Sequence, residues 1–125
     1  LDTPPLKQKV DSFRERGIEV LEMPNAQGKV DLPKMFAYLA KEREMNEIHV
    51  EAGCKLNGSL LREHCVDELL LYYAPFFMGE GIGMVNITPL ASLDAKENWK
   101  MIDQSLLGVD MRLRLVKSLK PLKSN

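Results

Sequence analysis

Leu69, Leu70, Leu71, Tyr72, Tyr73 and Ala74 form an almost unbroken apolar run that Pro75 closes. Its length suits a strand, and apolar residues without alternation are what a strand covered on both faces shows. No other segment constrains the fold so strongly. A sheet clothed on both sides belongs to the α/β class.

The rest of the chain fits that class. Leu6, Val10 and Phe13 are spaced for an amphipathic helix over 6–16 that closes at Gly17. Ile18, Val20 and Leu21 predict a short strand stopping at Met23-Pro24, with a turn over 25–28. Asp31 is a good N-cap and Pro33 suits a first helical turn. With Leu32, Met35, Phe36 and Leu39 on one face, they predict a second helix reaching Glu44. Ile48 and Val50 predict a strand that ends in Glu51-Ala52-Gly53, and a third helix follows over Asn57–His64 with Leu60 and Leu61 inward. Gly79, Gly81 and Gly83 mark a flexible loop, and 84–98 carries little pattern. Trp99–Leu106 and Asp110–Val116 read as two strands joined across Gly108. Alternation of this kind predicts a mostly parallel sheet with flanking helices and an antiparallel C-terminal strand pair. Residues 1–116 form one body in this reading, and 117–125 a mobile basic tail.

Charge narrows the function. Seventeen Lys and Arg stand against eighteen Asp and Glu, a formal charge of −1. No basic field exists to draw in a nucleic-acid backbone. The apolar runs are far shorter than the roughly 18 residues that cross a bilayer, and no secretory signal is visible. Two cysteines, Cys54 and Cys65, make no disulfide framework, so a cytoplasmic protein with reduced thiols is expected. His49, His64 and the cysteines lack metal-ligand spacing, and no metal site is expected.

In open α/β sheets, ligands collect where strands end and helices begin. The segment from Val50 to Ser59 has that form: a carboxylate at Glu51, small residues at Ala52 and Gly53, then a helix start. Unpaired amides there make an anion site suited to a nucleotide's phosphates, and Lys55 adds a point charge. Gly53-x4-Gly58 matches half of a Walker A loop, but Ser59 stands where its Lys belongs, so a nucleoside-triphosphatase reading fails. The spacing also misses G-x-G-x-x-G. On spacing alone, Gly53 and Gly58 equally fit a tight turn and close helix packing. Glu51 lies on the same strand side as His49, and a solvated or ion-paired glutamate is the plain alternative to a functional one.

Asn46-Glu47-Ile48-His49-Val50-Glu51-Ala52-Gly53, then Leu56-Asn57-Gly58-Ser59-Leu60-Leu61, then Val66-Asp67-Glu68-Leu69-Leu70-Leu71-Tyr72-Tyr73-Ala74-Pro75 resemble one family. It is the reductase domain of the bacterial riboflavin-biosynthesis deaminase–reductase, related in fold to dihydrofolate reductase. The resemblance is strongest from Asn46 to Gly79. It implies NADPH-dependent reduction of the ribose of 5-amino-6-(5-phosphoribosylamino)uracil to a ribityl chain, by hydride transfer. By position it implies that Glu51 contacts this pyrimidine ribose-phosphate substrate. Likewise Gly53, Cys54, Lys55, Leu56, Asn57, Gly58 and Ser59 fall in the loop that holds NADPH. One departure stands out: Cys54-Lys55 replaces the family's usual Pro-Thr, which removes a hydroxyl and adds a charge.

Domains of this family are longer, and this chain opens on Leu1. The resemblance therefore implies the C-terminal part of a reductase domain, inactive alone, with a deaminase domain N-terminal to it in the parent; the deaminase signature H-x-E…P-C-x-x-C is absent here. Two other readings stay open. One is a related dihydrofolate-reductase-like oxidoreductase with another substrate. The other is a non-catalytic fragment that dimerises through its C-terminal strands. Met111, Leu113 and Leu115 alternate near a chain end, and a free strand edge there favours a homodimer.

Overall fold

A computed structural model of the chain describes residues 4–89, 91–92 and 96–118. They fall into two compact units, divided between Ile48 and His49.

In the first unit, helix α1 (Pro4–Glu15) ends in a Schellman turn. The Gly17 amide donates to the Arg14 carbonyl and that of Ile18 to Phe13, and Gly17 takes φ +74°. Helix α2 (Leu32–Glu42) starts where the sequence predicts. Asp31 caps it by accepting from the Lys34 amide at 3.0 Å, Pro33 lies in its first turn, and Leu32 is buried. Between the helices, Pro24 and Val30 form a single antiparallel bridge around the turn at Asn25, whose side chain accepts from the Gln27 and Lys29 amides. The strand expected over Ile18–Leu21 is not formed. A strand needs a ladder partner, and none of the described residues pairs with this stretch.

The second unit holds helix α3 (Cys54–Arg62) and strands β1 (Glu68–Tyr73), β2 (Trp99–Leu107) and β3 (Asp110–Lys117). Gly108 at φ +62° turns β2 into β3. The sheet order is β1-β3-β2, and both pairings are antiparallel. Leu69 and Leu71 of β1 lie opposite Leu115 and Leu113, half-buried on one face. On the other face Arg114 grips Glu68 with two hydrogen bonds of 2.6 and 2.8 Å, and Arg112 reaches Asp103 at 2.8 Å.

Several expectations need correction. The class is α/β, but among the described residues the sheet is antiparallel rather than mostly parallel. Ile48–Val50 forms no ladder among the described residues. β1 lies at a sheet edge with Leu70, Tyr72 and Tyr73 exposed, so it is not covered on both faces. Half-burial alternates along β1, with Leu69 and Leu71 on the shielded face and Leu70 and Tyr72 on the open one. The free edge expected at β3 does not exist, because β3 is paired on both sides; the outer strands are β1 and β2. Lys117 is the last residue of β3 and not the start of a tail, while 119–125 lie outside the described residues. No described helix is long and apolar enough to cross a membrane.

Candidate functional site

Residues 49–52 lead straight into the N-cap of α3. Glu51 is exposed, and its Oε1 lies 3.3 Å from the His49 Nε2. The two side chains thus meet on one side of the chain. Gly53 is the N-cap in extended geometry and brings no side-chain acceptor to the helix start. A Cβ added to Gly53 would meet nothing within 4 Å, so the approach to the cap is open.

The helix begins three residues earlier than the pattern predicts, at Cys54 instead of Asn57. Its first internal bond runs from the Asn57 amide to the Gly53 carbonyl at 3.1 Å. The amides that precede it, those of Cys54, Lys55 and Leu56, therefore have no helical acceptor. They point out of the positive end of the helix dipole, next to the exposed ammonium chain of Lys55. This arrangement suits an anionic group such as a nucleotide phosphate.

Asn57, Gly58 and Ser59 lie inside the helix and are engaged with the chain itself. Their backbone amides belong to the helical ladder rather than to a ligand. The Asn57 Nδ2 donates to the carbonyls of Ala52 at 3.1 Å and Met84 at 3.0 Å. The Ser59 hydroxyl donates to the Lys55 carbonyl and accepts from Arg62. Gly58 is buried, and a Cβ there would collide with the backbone of Asn86. Close packing, the plainer of the two sequence readings, accounts for this glycine.

Three participants escaped the sequence reading. Arg62 donates to the Asn86 carbonyl at 2.7 Å, and the Asn86 amide donates to the Cys54 carbonyl at 2.9 Å. Met84 contributes only a carbonyl. Arg62 sits one turn beyond Ser59 and carries a readable i,i+3 signal. Met84 and Asn86 act through backbone atoms, which no side-chain pattern announces. His64 lies just past the C-terminal end of α3, the end opposite the 54–56 amides; its Nδ1 lies 3.2 Å from Glu97 and 3.0 Å from the Lys117 ammonium. Among the described residues no three of His, Cys, Asp and Glu gather as metal ligands do, and Cys54 and Cys65 form no disulfide.

Residues 3–118 match the family model described as RibD C-terminal domain. The Escherichia coli (strain K12) riboflavin biosynthesis protein RibD is 34% identical over 100 residues, which cover 79% of this chain and 27% of that protein. The 5-amino-6-(5-phosphoribosylamino)uracil reductase of Buchnera aphidicola subsp. Acyrthosiphon pisum is 30% identical over 88 residues, or 70% of this chain and 42% of that protein. Among solved structures, Acinetobacter baumannii RibD superposes with a TM-score of 0.74 at 25% identity, over 86% of this chain and 29% of that one. The chain thus spans about a quarter of the RibD proteins it matches.

Proposed function

The chain belongs to the RibD C-terminal domain family, and from that premise we propose that it is the C-terminal part of a pyrimidine reductase of riboflavin biosynthesis. The reaction is reduction of 5-amino-6-(5-phosphoribosylamino)uracil to its ribitylamino form. NADPH supplies the hydride in this reading. The remainder of the site and an N-terminal deaminase domain belong to the parent protein, which works in the cytoplasm. Activity belongs to that whole and not to this segment alone. A homodimer through the C-terminal strands stays part of the proposal, with its free edge moved from β3 to β2.

One observation supports the reading above the others. An exposed carboxylate, Glu51, stands two residues before the N-cap Gly53, and the helix that follows opens with no side-chain cap. The residues present fit a phosphate-bearing cofactor at that helix. Gly53 leaves the approach open, the amides of Cys54, Lys55 and Leu56 donate, and the Lys55 ammonium adds charge. Lys55 takes over electrostatically from the hydroxyl that the family usually places there. Glu51 faces the substrate, as an acceptor for its hydroxyls, and His49 holds the carboxylate on one side. The protein contributes position and charge, and the chemistry of hydride transfer is the cofactor's own.

The test uses the full-length protein. Lys55→Glu should weaken NADPH binding about tenfold, or about 1.4 kcal/mol, in calorimetry. Glu51→Gln should cut kcat/KM for the pyrimidine at least about tenfold while leaving NADPH affinity in place. The proposal fails if Lys55→Glu binds NADPH like the wild type, or if this chain by itself turns over the pyrimidine.

A further inference from the structure

A primary amide carries two N–H donors, and a residue that spends both on its own chain has none left for a ligand. Asn57 is in that position. Its Nδ2 donates at once to Ala52, in the turn that enters α3, and to Met84, 27 positions along the chain. Around this bridge the segment 84–86 lies strapped along the first two turns of the helix. The Asn86 amide donates to Cys54, Arg62 donates to the Asn86 carbonyl, and Gly58 leaves room for the Asn86 backbone to lie against the helix.

The strap has two ends of different consequence. Met84 and Asn86 anchor the far end of the loop that contains Gly79, Gly81 and Gly83. Ala52 is the residue just before the N-cap, so its carbonyl sets the direction in which the chain enters the helix. The aim of the Cys54, Lys55 and Leu56 amides follows from that direction. Misplacing preorganised donors by even 1 Å forfeits much of their value.

We infer that Asn57 is a positioning residue for the anion site, locking Ala52 and with it the aim of the 54–56 amides while touching no ligand itself. The inference rests on the reading of the α3 N-terminus as the NADPH site. Arg62 is its built-in control, because it holds the same strap at Asn86 yet leaves Ala52 alone.

The experiment compares Asn57→Ala and Arg62→Leu in the full-length protein. NADPH affinity is measured by calorimetry, kcat at saturating NADPH, and exchange of the Asn86 amide by hydrogen–deuterium exchange. Both variants should speed Asn86 exchange. Only Asn57→Ala should raise the Kd for NADPH, by about five- to twentyfold, with kcat held within about twofold. Should the alanine variant unfold, Asn57→Ser, which keeps one shorter donor, carries the same comparison. If Asn57→Ala loosens Asn86 and leaves the Kd unchanged, the positioning role is overturned and the cofactor reading stands. If Arg62→Leu weakens NADPH equally, the effect is general loosening of α3 and the role is again overturned. If the wild-type protein binds no NADPH, the cofactor reading falls and this inference with it.

Discussion

Gly58 faces the backbone of Asn86 so closely that a Cβ on Gly58 would overlap the Asn86 carbonyl group, oxygen and carbon alike. The obstacle is main chain, not the end of a flexible side chain, so relief requires moving the strap itself. Gly58→Ala should therefore destabilise the protein by about 2–4 kcal/mol, combining overpacking with loss of the Asn86–Cys54 hydrogen bond. Chemical denaturation checks this. It also means that a change in NADPH binding by a Gly58 variant reports on packing first.

Glu68 offers a pH-dependent prediction. Its carboxyl is held below its usual value of 4.5 chiefly by the hydrogen bonds from Arg114, with the charge of that guanidinium helping against burial. A carboxylate with a depressed folded-state pKa adds stability above its unfolded value, and the gain is lost as pH falls through the folded value. The window thus opens near pH 4.5 and extends downward. In Arg114→Met the Glu68 carboxyl should titrate near its usual value, as read by carboxyl-carbon NMR. An unmoved titration in that variant would show that Arg114 is not the cause.

His64 occupies the left-handed position that closes α3, at φ +56°, where glycine is the usual residue. The turn is of Schellman type: His64 donates to Leu61 and Cys65 to Leu60. His64→Gly removes the left-handed strain and gives up contacts with Glu97 and Lys117 at a solvent-exposed site, where such pairs contribute little. The expected result is a gain of about 0.5–1 kcal/mol, seen as a higher denaturation midpoint.

Association is the fourth test. β3 is flanked by β1 and β2, and Leu113 stands opposite Leu71 within the sheet. Leu113→Lys should lower stability. Leu106 of β2 is 74% exposed on an outer strand, so Leu106→Lys should shift the protein towards monomer in sedimentation and leave the fold intact. An unchanged distribution would remove the proposed strand-edge dimer.

Much of this molecule was legible in the sequence because the governing interactions are local. Asp31 reaches an amide three residues on, Gly17 and Gly108 supply the positive φ their turns need, and Glu51-Ala52-Gly53 marks a chain exit into a helix. Each signal is complete within a few residues. The start of α3 lies three residues before the expected Asn57 because its N-cap, Gly53, brings no capping side chain to mark it, and the Asn57 amide instead bridges Ala52 and Met84.

Only the tertiary structure decided partnership. The run Leu69–Ala74 announced that a strand would form, yet nothing in it says that β3 would pair with it, antiparallel, and then pair again with β2. Ile48 and Val50 have the composition of a strand but no ladder among the described residues, because strand formation needs a second chain segment at hydrogen-bonding distance. Gly58 had two explanations in the sequence and has a clear packing role in the structure, because its partner is a backbone carbonyl of Asn86. Backbone atoms are the same in every residue, so their long-range contacts leave no trace in the order of side chains.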